Sequence, residues 1–190
     1  MRIISGKFRG KKLIKFNKEG IKPTTDKTRE SIFNIIISYL QINEKKKNLP
    51  FEDFNVLDIF AGTGALGFEA ISRGAKNVTF IEKSPDNLRV LYKNADHLKV
   101  NEKVEIIKRS IRKVKKIDGK FDLIFMDPPY QMDIIFKKTL KKILDFKAIK
   151  KNSLVILEHA RKKKIVIPKE FEIIKEKNYG NSSITLIKLK

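Results

Sequence analysis

The chain has 190 residues, no cysteine and two histidines, so it can bury one full core but offers no disulfide, no thiolate chemistry and little for a zinc site. No apolar run reaches the roughly 18 residues of a membrane helix, and Met1-Arg2-Ile3-Ile4-Ser5-Gly6 lacks the apolar region of a signal peptide; a soluble, cytoplasmic protein with no membrane partner is expected. The 43 Lys+Arg against 22 Asp+Glu give a net charge of +21, which favours a polyanionic partner, nucleic acid before others.

Only 8 of those cations are Arg, and Ile and Asn are plentiful, as AT-rich coding produces. The sign of the charge is therefore read as functional and its magnitude less so.

The pattern begins with two short strands, 2–5 and 12–16, around a turn carrying Gly6 and Gly10. Lys7, Arg9, Lys11 and Lys12 crowd that turn, and Arg2 precedes it; the basic hairpin suits either a phosphate-contacting arm, with Arg2, Lys7, Arg9 and Lys11 as its RNA contacts, or an exposed hairpin whose charges guard its edges. Lys22-Pro23-Thr24-Thr25-Asp26 opens a helix running to about Gln41, with Thr25 or Asp26 as cap and a stripe of Ile32, Phe33, Ile36, Ile37 and Leu40. A charged linker follows over 45–50.

Strand–helix alternation then sets in. Strands are expected at 55–60, 77–82, 104–108, 121–126 and 153–158. Helices are expected at 65–73, closed by Gly74, and at 85–98, with Ser84 as cap and Pro85 in the first turn. A basic helix over 132–144 precedes the fifth strand, and Arg161-Lys162-Lys163-Lys164 forms a cationic loop after it. Strands 171–177 and 184–189, joined through Tyr179-Gly180-Asn181-Ser182, close the chain as a hairpin. Such an order predicts an α/β fold: a mostly parallel seven-stranded sheet covered by helices, with an antiparallel C-terminal edge.

Two stretches carry chemistry. In the first, a strand ending at Asp58-Ile59-Phe60 runs into Gly62, Gly64 and Gly67, and Glu82 ends the next strand about 20 residues on. The spacing fits a dinucleotide fingerprint, and a ligand-free turn is the plain alternative. Asp58 argues against a dinucleotide, because a carboxylate beside the helix N-terminus repels a pyrophosphate. It suits instead the ammonium and sulfonium of S-adenosylmethionine, with Glu82 accepting from the ribose hydroxyls.

The second stretch is Asp127-Pro128-Pro129-Tyr130, at the carboxyl end of the fourth strand, where open α/β sheets bind ligands. The two prolines remove backbone donors and stiffen the loop, so that the carbonyls of Asp127 and Pro128 can be aimed, and a carboxylate with a rigid carbonyl is suited to hold an –NH2 group by both hydrogens. Tyr130 offers a face for a base, worth about 1–3 kcal/mol. Two acceptors localise an amine lone pair and stabilise the positive charge that grows on nitrogen as it attacks a methyl group.

These motifs resemble the amino-group, S-adenosylmethionine-dependent nucleic-acid methyltransferases. More narrowly, the chain resembles the ribosomal small-subunit methyltransferase D family, whose activity is methylation of a guanine N2 in 16S rRNA. The resemblance covers nearly the full length. It is carried by residues 2–7 with Gly10 and Leu13, by 22–26 with Arg29-Glu30 and Phe33-Asn34, and by 58–75. Asp127-Pro128-Pro129-Tyr130, Glu158-His159 and Tyr179-Gly180 complete it.

The resemblance implies a Rossmann-like class I methyltransferase domain over 23–190 behind a basic hairpin extension over 1–22. It implies that Thr25 and its neighbours fold over the methionine end of the cofactor, with Asp58, Gly62 and Gly64 beneath and Glu82 on the ribose. It also implies that the hairpin and Asp127-Pro128-Pro129-Tyr130 face a base flipped from its stack. One position departs from the pattern: Lys108-Arg109-Ser110 stands where an Asp or Asn often meets adenine, leaving Ser110 as the candidate acceptor. The partner is 16S rRNA or the small ribosomal subunit, no metal is needed, and a monomer is expected. Rival readings are an amino methyltransferase for adenine N6 or a glutamine side chain, and a non-catalytic RNA-binding module on the same fold.

Overall fold

The computed structural model describes residues 1–15, 25–42, 49–128 and 134–190. The expectations placed on Phe16, Lys22, Pro23, Thr24, Pro129, Tyr130 and most of the 45–50 linker lie outside them.

Thr25 caps the first helix, α1 (Asp26–Tyr39), its hydroxyl accepting the Thr28 N–H. The alternating unit follows: β1 (Asn55–Ile59), α2 (Ala65–Ser72), β2 (Asn77–Ile81), α3 (Pro85–Leu98), β3 (Val104–Ile107), β4 (Phe121–Met126), α4 (Ile135–Asp145) and β5 (Ile149–Ala160). β6 (Phe171–Tyr179) and β7 (Ser182–Leu189) close the chain. Helix α3 starts as its residues dictate, with Ser84 accepting from Asn87 N–H and Pro85 filling a first-turn position that needs no donor. β5 begins four residues earlier than its apolar run, because buried Ile149 already pairs with Phe121 and Lys150, Lys151 and Asn152 bulge out before Leu154 pairs with Leu123, Ser153 Oγ accepting the Lys150 N–H.

The seven strands form one sheet in the order β3-β2-β1-β4-β5-β7-β6. The first five run parallel; β7 lies antiparallel to both β5 and β6. Strand order reverses between β1 and β4, and that switch point opens a crevice at the carboxyl ends of the strands.

Alternation along each strand divides the core into two. Val56, Val78, Phe80, Leu123, Phe125, Leu154 and Ile156 face α1, α2 and α3. Leu57, Ile59, Ile81, Ile124, Met126, Val155 and Leu157 face α4. Phe33 of α1 meets Phe125 of β4 at 5.6 Å between ring centroids, and the Arg73 guanidinium lies over Phe33 at 4.7 Å. Helix α1 is thereby fixed above the centre of the sheet.

The N-terminal hairpin is tighter than its strand pattern predicts. One antiparallel bridge joins Arg2 and Lys12, and the N–H groups of Ile3, Gly10 and Leu13 donate across the arm to the Lys11, Ile3 and Met1 carbonyls. Other backbone donors of the arm turn outward to α2. The N–H groups of Ile4 and Ser5 go to the Glu69 carboxylate, Lys7 N–H to the Ser72 carbonyl and Phe8 N–H to the Ser72 hydroxyl. The arm is thus docked on α2, and Ile3, Phe8 and Leu13 enter the first core, each burial contributing roughly 1.5–3 kcal/mol. Among the described residues no helix is long and apolar enough to cross a membrane.

Candidate active site

The site is assembled from the strand ends on the α1–α3 face of the sheet. β1 leaves through Phe60, whose φ of 66° is left-handed and costly for a bulky residue. Its N–H and that of Ala61 both donate to the Ile81 carbonyl at 3.0 and 3.2 Å, pinning the loop to the end of β2.

The three glycines of the loop do different things. Gly62, at φ 56°, has nothing within 4 Å of where a Cβ would stand, so the loop there borders open space. Gly64 is the left-handed cap of α2, at φ 82°. A Cβ on Gly67 would lie 2.2 Å from the Phe80 ring, so this glycine lets α2 approach β2.

Two carboxylates hold the loop. Glu82 takes Gly62 N–H on one oxygen at 2.8 Å, and Lys83 and Ser84 N–H on the other, each at 2.7 Å. A carboxylate has about four acceptor positions, so one remains for a ligand hydroxyl. Asp58 is 3% exposed, and its Oδ2 accepts Gly67 N–H at 3.0 Å. Burial pushes the Asp58 carboxyl up to about 8, against the Gly67 hydrogen bond, with the charges of Asp127 and Glu82 adding to the rise.

Asp127 leaves β4 half-buried, followed by a buried Pro128. Register pairs Asp58 with Phe125, and Asp127 stands two residues beyond on the same face. Asp58 and Asp127 therefore flank the switch point, with Glu82 one strand further out. A cluster of three carboxylates with one held largely protonated at neutral pH is prepared to receive positive charge. The open face of Gly62 and the remaining acceptor position of Glu82 fit a ligand that carries cationic groups and a ribose. S-adenosylmethionine is such a ligand.

The other expected site residues distribute as follows. Thr25 spends its hydroxyl on capping α1, 2.9 Å from the Thr28 hydroxyl and accepting Thr28 N–H. Ser110 is half-buried three residues past the end of β3, where it precedes a short 3-10 helix without capping it through its side chain. Arg2, Lys7, Arg9 and Lys11 are exposed along the docked arm. Arg2 stands 3.6 Å from Asp26, which also takes the buried Arg29 at 3.0 Å, so the arm is tied to the start of α1 as well.

Sequence reading missed Asn94. Its side chain is fully buried in α3, accepts Ile14 N–H at 2.8 Å and donates to the carbonyls of Ile14 (3.2 Å) and Thr63 (3.1 Å). One amide thus joins the basic arm to the glycine loop. The signal for it was a polar residue inside the apolar stripe Val90, Leu91, Ala95 and Leu98.

A family model described as "Conserved hypothetical protein 95" matches residues 1–188. The ribosomal RNA small subunit methyltransferase D of Haemophilus influenzae is 35% identical over 190 residues, spanning 98% of this chain and 92% of its own. The protein of that name from Buchnera aphidicola of Acyrthosiphon pisum is 36% identical over 92% of this chain and 86% of its own. The chain belongs to the ribosomal RNA small subunit methyltransferase D family. Among solved structures, yhhF from Escherichia coli superposes with a TM-score of 0.82 at 28% identity, covering 100% of this chain and 98% of that one. The sheet order, the switch-point crevice and these neighbours make the fold that of the class I methyltransferases. In the family frame, Asn94 links the N-terminal arm, which lies inside the matched region, to the glycine loop.

Proposed function

We propose that the protein methylates the exocyclic N2 amine of a guanine in 16S rRNA, with S-adenosylmethionine as methyl donor, acting as a monomer on the small ribosomal subunit or an assembly intermediate. The observation that carries this reading is the convergence of Asp58, Glu82 and Asp127 at the switch point of a chain belonging to this family. The names of its relatives support ribosomal RNA as the substrate class.

S-adenosylmethionine supplies an electrophilic methyl group on a sulfonium. Asp58 balances the positive charge of the donor and becomes ionised as it does so. Glu82 keeps the loop closed through Gly62 and offers its remaining lone pair to a ribose hydroxyl. The Asp127 carboxylate and the Pro128 carbonyl each accept one hydrogen of the guanine amine, which localises its lone pair on nitrogen. Bound S-adenosylmethionine would supply its methyl group to that lone pair and leave as the neutral thioether, and Asp127 would take the amine proton along its hydrogen bond. Pro129 and Tyr130 are assigned from their residue types alone, the first as a proline that removes a backbone donor and the second as an aromatic face for the extruded base. Thr25 closes the methionine end, Ser110 accepts from the adenine amine, and Arg2, Lys7, Arg9 and Lys11 hold RNA phosphates.

The test is transfer of labelled methyl to undermethylated small subunits, with naked rRNA and DNA alongside and the product nucleoside identified by mass spectrometry. N2-methylguanosine in rRNA is the expected product. Methylated adenine, or label confined to DNA or protein, would overturn the substrate assignment.

A further inference from the structure

We infer that the turn carrying Arg161, Lys162 and Lys164 is a second RNA-backbone surface, on the opposite side of Asp127 from the N-terminal arm; this rests on the reading of the site as an RNA methyltransferase.

Three observations carry it. The turn directly follows β5, which runs parallel to β4, so it emerges at the same sheet edge as Asp127 and the glycine loop. It is a formed structure. Arg161 N–H donates to the Asn181 carbonyl of the β6–β7 turn at 2.9 Å, and Lys163 N–H to the Ala160 carbonyl at 3.0 Å. Finally, Arg161, Lys162 and Lys164 are exposed, and no acidic residue occurs from His159 through Lys169 to neutralise them.

Sheet order gives the geometry. The arm lies over α2 and α3, which follow β1 and β2; its turn reaches Ser72 at the far end of α2, and its ends, with exposed Arg2, Lys12 and Lys15, lie towards the glycine loop through Ile14 and Asn94. The turn after β5 lies one strand beyond β4, about 5 Å further along the sheet edge, so cations stand on both sides of Asp127. A base extruded to Asp127 leaves its strand continuing in both directions, and each direction meets cations. Arg161 adds a fork suited to a phosphate, and the lysines add point charges. The partner is a polynucleotide backbone, read by charge and not by sequence.

The experiment compares the full-length protein with the combined variant Arg161→Ala, Lys162→Ala, Lys164→Ala in binding naked small-subunit rRNA across a salt series. Each lost contact to a single strand lowers the slope of log K against log salt by about 0.7, so the variant should lose about 2 from that slope while S-adenosylmethionine affinity stays unchanged. A matched control removes the same charge from the opposite edge, where Lys76, Lys103 and Lys120 precede β2, β3 and β4; substituting these by Ala should leave the slope intact. An unchanged slope in the turn variant, or an equal fall in the control, overturns the proposal. Normal binding to naked rRNA with loss of binding to assembled subunits would assign the turn to a ribosomal protein instead, and likewise overturns it. Because binding is read without methyl transfer, a failure of the guanine-N2 assignment leaves this result interpretable.

Discussion

Asp58 accepts its backbone hydrogen bond from Gly67, nine residues downstream, at 3.0 Å. The carboxylate is thereby turned into its own strand–loop–helix and away from water. Burial dominates, and the group titrates at about 8 instead of the ordinary Asp range. A cationic ligand favours the ionised form, so below that pH binding must expel a proton. S-adenosylmethionine affinity should therefore rise roughly tenfold per pH unit between about 6 and 8 and level off above. Calorimetry at neutral pH in buffers of different ionisation enthalpy should show release of about one proton. Affinity that falls or stays flat over that range would contradict the assignment of Asp58.

The same shift has a consequence for folding. The folded pKa of Asp58 lies above its unfolded value of 3.8, so the folded state holds the proton more tightly, and the stability from this group is lost as pH rises from about 4 to about 8. Asp58→Asn keeps an oxygen for Gly67 N–H and removes the titration. The variant should be more stable than the parent above pH 8, on the order of a few kcal/mol, and its denaturation midpoint should be flatter with pH.

Asn94 gives a third expectation. Asn94→Leu preserves much of the volume but leaves the Ile14 N–H and the Ile14 and Thr63 carbonyls without this partner. Urea denaturation should show a loss of about 1–3 kcal/mol. S-adenosylmethionine affinity should fall as well, because Thr63 sits between Gly62 and Gly64. A purely global defect would lower stability and leave affinity at saturating folded protein untouched.

Asp127→Ala should separate chemistry from cofactor binding. Loss of the amine acceptor should cost about 10²–10³ in kcat. Asp127 contributes to the raised pKa of Asp58, so its removal should also move the pH dependence of S-adenosylmethionine binding to lower pH. A non-catalytic RNA-binding protein would show the second effect and no turnover in either form.

Much of this architecture was legible in the residues. Helix 85–98 and strand 121–126 have the bounds their caps and apolar runs predict, because local signals sufficed: Ser84 and Pro85 at one end, a buried Phe121–Met126 run at the other. Asp58 and Glu82 were legible from the glycine fingerprint after the first strand, and Asp127 from its place before two prolines at the end of a buried strand; that the three share one face follows only from the register of β1 with β2 and β4. What was not legible depended on partners distant in the chain. The arm's donors are taken by Glu69 and Ser72, more than 60 residues away, which no local pattern of strand residues reports. Glu82 was expected on ribose hydroxyls, whereas its structural duty, closing the loop through Gly62, appears only when β1 and β2 lie side by side.

The position of β7 between β5 and β6 bears on how the protein is made. β6 precedes β7 in the chain, yet among the described residues its sheet neighbour is β7 alone. During synthesis, residues 171–179 emerge before the strand that will hold them, and β5 keeps an open edge until residues 182–189 arrive. Translation that stalls before Ser182 would therefore release a chain whose glycine loop is complete but whose sheet still offers β5 to any passing strand, and such chains should aggregate before the loop is lost.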